Sequence, residues 1–290
     1  MSSSPVLRMG IPSPPDNPMP STHPKSQILM SEAPKVKGIV DIVVLMDISG
    51  SMQPCIDAVK SSVAAFVQTL ESKDANNESP IRDWRMKVCG YRDQTCDAKW
   101  FVDNPFVRDV ASVQAQLAAS RMQASGGGDE PESLLDALYK IAKMEQSGIQ
   151  DAENPDRWRA RGTCARAVVF FTDATFKTPM TLPEAAGGGV DDVINAIMAS
   201  KIILCGFCPE WEGYYELASV DRAEIDFIAR LAETPALAGL GKPGEEGRAA
   251  QSAALTAMSA RSSDRTAFVK VMEQLAKTIS KSVAVEAAEC

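Results

Sequence analysis

Histidine is nearly absent from this chain: 290 residues contain one, His23, in a proline-rich N-terminal stretch. No serine or cysteine in the body of the chain therefore has a sequence-evident imidazole to act as its base. Long apolar runs are missing too. None approaches the roughly 20 residues that cross a bilayer, and the first thirty residues lack the charged-then-apolar order of a secretory leader. A cytoplasmic location with no membrane partner is the expectation. Positive charge is in deficit, with 30 Lys+Arg against 38 Asp+Glu and a formal net charge of -8. That balance argues against a broad phosphate-binding face, and so against nucleic acid as a partner. There is no Gly-x-x-x-x-Gly-Lys-Ser/Thr loop, so nucleotide hydrolysis is not expected. Of the seven cysteines, only Cys205 and Cys208 have redox or zinc spacing, with no second pair to match them. They end an apolar run and read as reduced thiols.

What is present is a chain 45% hydrophobic, enough for a substantial core. Val40 to Met52, VDIVVLMDISGSM, is its focal stretch. Ile42 to Ile48 carry one polar side chain, Asp47, which predicts a strand buried on both faces, as in a parallel sheet. Beyond it, Asp47-x-Ser49-x-Ser51 places three short oxygen-bearing side chains on one strand-to-helix turn, with Gly50 in the turn and Pro54 suited to the first helical turn. Such a set can converge on a hard cation such as Mg2+. The alternative is local: Ser51 caps the helix and Asp47 fixes the turn.

Residues 1 to 36, rich in proline and serine without apolar periodicity, are expected to form a disordered or extended arm. Ile56, Val59, Val63, Phe66, Val67 and Leu70 predict an amphipathic helix from Gln53 to about Ser72. Strands are expected at Arg85 to Tyr91, Trp100 to Val102, Ala165 to Phe171 and Lys201 to Phe207. Helices are expected at Asp109 to Met122, after the glycine loop Ser125 to Ser133, at Val190 to Ala199, Ala223 to Leu231 and Arg265 to Ser282. A Gly/Ala-rich stretch at about 234–262 reads as an irregular insertion, and 286–290 as a tail. This alternation predicts an α/β fold with a doubly wound, mostly parallel sheet and helices on both faces. Ligands bind such sheets at the carboxyl ends of the strands, where Asp47, Asp93 and Asp173 fall.

Asp47-x-Ser49-x-Ser51 after a buried strand, a glycine-rich loop before a helix, and Thr172-Asp173 after a later buried strand together resemble the metal-ion-dependent adhesion site (MIDAS) of von Willebrand factor type A (vWA) domains. The resemblance spans roughly 37–285. Gly90-Tyr-Arg-Asp93 and Gly126-Gly-Gly-Asp-Glu-Pro-Glu132 are similar to intracellular members, such as those found with alpha-kinases and in bacterial tellurite-resistance-like operons. The resemblance implies Ser49 and Ser51 as direct ligands of Mg2+ (or Mn2+ or Ca2+), with Asp47 and Asp173 binding directly or through water. Adhesion members offer a second-loop threonine, and none occurs here between Cys96 and Thr163. Asp129 is the substitute, with Ser125 and Ser133 as fallbacks. A carboxylate there lowers the site's positive charge and predicts modest attraction for an acidic partner.

Asp93 reads either as an outer-shell residue or as a surface ion pair with Arg92 or Arg82, and as a candidate partner contact. Trp211, Tyr214 and Tyr215 are candidate rim contacts, or else cover a core edge. The expected function is a non-enzymatic adaptor module holding a partner carboxylate through the cation. The resemblance implies a kinase, phosphatase or AAA-type ATPase as partner. The alternatives are a Mg2+-dependent hydrolase or phosphatase using Asp47, Asp129 and Asp173, and a structural subunit with a degenerate metal site.

Overall fold

The computed structural model describes residues 38–73, 81–126, 131–221, 223–230 and 265–288. The expected arm, the Gly/Ala-rich insertion and Asp129 lie outside them. The strands are β1 (Ile39–Asp47), β2 (Asp83–Tyr91), β3 (Phe101–Asp103), β4 (Ala165–Phe171), β5 (Ile202–Glu210) and β6 (Glu224–Arg230). The helices are α1 (Gln53–Leu70), α2 (Val110–Ala118), α3 (Leu134–Ala142), α4 (Val190–Ala199), α5 (Glu212–Leu217) and α6 (Arg265–Ala288).

Side chains alternate across a strand, so an unbroken apolar run must feed two cores at once. In β1, Ile42, Val44 and Met46 enter a core shared with α1, α2 and α6. Val43 and Leu45 enter a second one shared with α3, α4 and α5. The sheet order is β3-β2-β1-β4-β5-β6, parallel throughout except for the short edge strand β3, which runs antiparallel to β2. This is the expected doubly wound α/β sheet with helices on both faces. The predicted stripe of α1 is buried along its length. In β5, Gly206 lets the Phe170 ring cross the strand, for a Cβ there would stand 2.3 Å from it. Cys205 and Cys208 enter opposite cores, so they cannot ligate one ion or form one redox pair.

Two expectations need correction. The stretch expected as a helix at Ala223 to Leu231 is β6, paired in parallel with β5 from Cys205↔Glu224 onward. Ile225, Phe227 and Ala229 alternate, and so short an apolar run fits either period; β5 has an open edge whose backbone groups a strand satisfies. The helix starting at Asp109 ends at Ala118, and a separate 3-10 turn spans Ser120–Met122.

The Asp109 cap is present, its side chain accepting a hydrogen bond from Ser112 N at 2.8 Å. Asp109→Ala is expected to cost about 1 kcal/mol in urea unfolding; an unchanged midpoint would show that water replaces the cap. No helix among the described residues is long and apolar enough to cross a membrane.

Candidate metal centre

β1 sits between β2 and β4, and the chain leaves β1 toward one side of the sheet and β4 toward the other. The carboxyl ends of these two strands therefore flank the switch point, where a crevice opens in such sheets. Asp47 ends β1 and Asp173 follows β4 by two residues, facing each other across it. One Asp47 carboxylate oxygen accepts from Ser49 N at 2.9 Å, and the other accepts from Thr172 Oγ1 at 2.7 Å. The turn after β1 is a 3-10 turn, Gly50–Met52, leading into α1. Neither that turn nor α1 takes a capping hydrogen bond from a serine side chain, so the local alternative for Ser51 does not apply. The Ser51 side chain acts instead on Asp173, where it works to lower the carboxyl against its burial.

The second loop is tied onto the first. Ser125 N donates to Ile48 O at 3.0 Å, and Gly50 N donates to the carbonyl of Gly126 at 3.3 Å. Gly126 adopts a φ of 69°, open to glycine. Arg92 closes the clasp, donating to Ile48 O at 3.1 Å and to Ser125 Oγ at 3.0 Å. Ser133, the other fallback ligand, accepts from Gln94 N at 2.9 Å at the start of α3. The structure thus brings Asp47, Ser49, Ser51 and Asp173 to one strand-end crevice, with Ser125 on the loop beside them.

The electrostatics are those of negative charge without a counter-ion. Burial, then the neighbouring Asp173, pushes Asp47 up to about 7. Burial likewise raises Asp173, against the effect of the Ser51 side chain. Neither carboxylate forms an ion pair among the described residues. A third acid, Glu132, is 4% exposed and is pushed up to about 9 by burial and by the charges of Asp47 and Asp93. Its Oε2 and the hydroxyl of fully buried Tyr91 have no hydrogen-bond partner. In the sequence, Glu132 and Tyr91 stood in the two motifs that carry the resemblance, Glu132 as an acid ahead of a helix and Tyr91 as the end of a strand, and neither was a site candidate. The one available signal was the last acid of Asp129-Glu-Pro-Glu132.

The donor set fits a hard divalent cation: carboxylates and hydroxyls, with no nitrogen or sulfur among them. Among the described residues, no three His, Cys, Asp or Glu side chains are grouped to hold an ion together. The candidate set is therefore two carboxylates and two serine hydroxyls.

Two of the contact candidates are not on the rim. Asp93 is 1% exposed and pairs with Lys177 at 2.5 Å, not with Arg92 or Arg82. It also accepts from Thr95 N at 2.8 Å. Burial works to raise it, but hydrogen bonds from Cys96, Lys177 and Thr95 hold its carboxyl below the usual range. Tyr214 is fully buried in α5, its hydroxyl donating to Ala174 O at 2.6 Å and its ring stacked on Phe170. A large aromatic ring just behind a sheet edge gains more from the core than from water. Trp211 is half-buried against the Phe176 ring at 4.7 Å, whereas Tyr215 is 52% exposed, with its hydroxyl bonded to Glu210.

No family model and no curated sequence matches this chain. Among solved structures it is similar to proximal thread matrix protein 1 from the mussel byssus, at 14% identity and a TM-score of 0.41 over 67% of this chain and 45% of that one. A second structure of that protein, with a zinc-occupied MIDAS motif, gives 15% identity and 0.42 over 67% and 45%. A third gives 13% and 0.41 over 77% and 48%. The likeness is one of fold, and this chain spans about half the length of those proteins.

Proposed function

We propose that this chain is a vWA-type protein-binding module that holds a divalent cation, Mg2+ (or Mn2+ or Ca2+), in a MIDAS-type site and is not an enzyme. The observation that carries the reading is the meeting of Asp47 and Asp173 at the switch point, buried, like-charged and without a cationic side chain. Ser49 and Ser51 supply neutral oxygens beside them. When bound, the cation supplies a Lewis-acid position that accepts a carboxylate from a partner protein. The chain's own part is to hold its ligands in place. Thr172 and Ser49 N orient Asp47, and Arg92 binds the second loop to the first. Asp129 is the proposed second-loop donor.

The proposed setting is a cytoplasmic adaptor whose partner is a kinase, phosphatase or AAA-type ATPase presenting an acidic residue. The hydrolase alternative is the weaker one: the described residues include no histidine to serve as a base, and Asp47 is already engaged by two hydrogen bonds.

Calorimetric titration of Mn2+ and Mg2+ into the full chain tests the reading, followed by affinity capture with and without EDTA. Saturable binding is expected, reduced at least tenfold in Ser49→Ala/Ser51→Ala, with partners released by EDTA. Partners retained by the double variant and indifferent to EDTA would instead favour the degenerate structural subunit.

A further inference from the structure

The unpartnered oxygens of Glu132 and Tyr91 lie at the same end of the sheet, beside Asp47. Tyr91 is the register partner of Asp47 across β1 and β2, and the charge of Glu132 bears on Tyr91 as that of Asp47 bears on Glu132. A buried polar atom without a partner costs about 1–3 kcal/mol, more for a carboxylate, so two together are retained where something satisfies them. The Thr172 hydroxyl, which neighbours Tyr91, already donates its proton to Asp47 at 2.7 Å and leaves the Tyr91 hydroxyl unpartnered. The closest cation, Lys177, is drawn to Asp93 at 2.5 Å and Thr95 Oγ1 at 2.6 Å. The oxygens of Asp47 already accept from Ser49 N and Thr172 Oγ1.

Glu132 is also held rigidly against the loop that carries Asp173. Its backbone N donates to Thr175 O at 3.0 Å, and Lys177 N donates to its carbonyl at 2.8 Å. A carboxylate so placed, outside direct grouping with Asp47 and Asp173, reaches a cation through water. Mg2+ dehydrates reluctantly and keeps several waters, which need oriented acceptors.

Building on the metal-binding reading above, we propose that Glu132 Oε2 and Tyr91 Oη form the buried floor of the site and hold waters of the cation's hydration shell. Glu132 and Tyr91 are positioning residues, acting on the ion through those waters and not as ligands.

The test is Mn2+ calorimetry on the full chain and on Tyr91→Phe and Glu132→Gln, both of which preserve shape, with thermal unfolding recorded without metal. Each variant is expected to bind Mn2+ about tenfold more weakly, because lost outer-shell partners cost 10–100-fold in affinity. The metal-free unfolding temperature is expected to hold or rise, since an orphaned polar atom has been removed or neutralised. Variants that bind within about twofold of the unmodified chain overturn this proposal alone. An unmodified chain that binds no Mn2+ overturns it together with the metal-site reading. A lowered metal-free unfolding temperature accompanying the weaker binding assigns the two residues a structural role and also overturns it.

Discussion

Asp41→Ala is expected to destabilise the fold by about 3–5 kcal/mol in urea unfolding, because it strands two buried guanidinium groups. Asp41 is fully buried on β1, at the end of the sheet away from the candidate metal centre. It accepts from Arg85 Nε at 3.0 Å and Nη2 at 2.6 Å, and from Arg159 N at 2.8 Å and Nε at 2.7 Å. Burial alone would raise its carboxyl; the paired arginines overcome that and lower it. Because its folded value is depressed, the stability it contributes is present above the ordinary carboxylate range and is lost as pH falls through the folded value.

Arg159 also donates to Val40 O at 2.9 Å, and the Arg85 guanidinium sits 4.6 Å over the Phe106 ring. Losing Asp41 therefore loosens the segment that carries buried Trp158 as well as the strand itself. Glu153→Ala, which removes a half-exposed partner of Arg108, is expected to cost under about 1 kcal/mol. Equal losses from the two substitutions would mean that water reaches Arg85 and Arg159, contrary to their burial.

Asp47→Asn is expected to abolish Mg2+ and Mn2+ binding while stabilising the metal-free protein at pH 8, by on the order of 1–3 kcal/mol. Asp47 is raised to about 7 in the fold, from an ordinary 3.8. The folded state thus binds a proton that the unfolded state has released. The corresponding stability is fully present below about pH 4 and is lost as pH climbs through about 7. Thermal unfolding in EDTA should accordingly show a midpoint that falls between pH 5 and pH 8 in the native chain, and falls less in the variant.

Cation binding requires the ionised carboxylate, so affinity should run the opposite way. It should weaken by up to about tenfold per unit as pH drops below about 7, with proton release on binding. A native chain whose unfolding midpoint is flat across this range, together with pH-independent Mn2+ affinity, would show that Asp47 is already ionised and stabilised by something other than a metal.

Much of this was legible in the chain itself. The run from Ile42 to Ile48, rich in β-branched residues and closed by the Ser-Gly-Ser turn, reads as a strand covered on both faces, and the helical stripe after it has one face to bury. Strand and helix alternate, which with right-handed crossovers leads to a doubly wound sheet. Once β1 and β4 are placed side by side, Asp47 and Asp173 must lie at the same end. The serines travel with them because Asp-x-Ser-x-Ser is local in sequence.

The sequence by itself therefore determined five strands of the sheet, the doubly wound arrangement and the four first- and third-loop side chains, because each depends on periodicity or on neighbours within a few residues. Tertiary structure alone decided the rest. β6 became a strand because β5 offered an open edge. Asp93 found Lys177, Asp41 found Arg159, and Glu132 came to lie beside Asp47 and Tyr91, through partners dozens of residues away. Pairings of that kind carry no local pattern. They follow from which strands become neighbours, and from the high cost of leaving a buried charge without a partner.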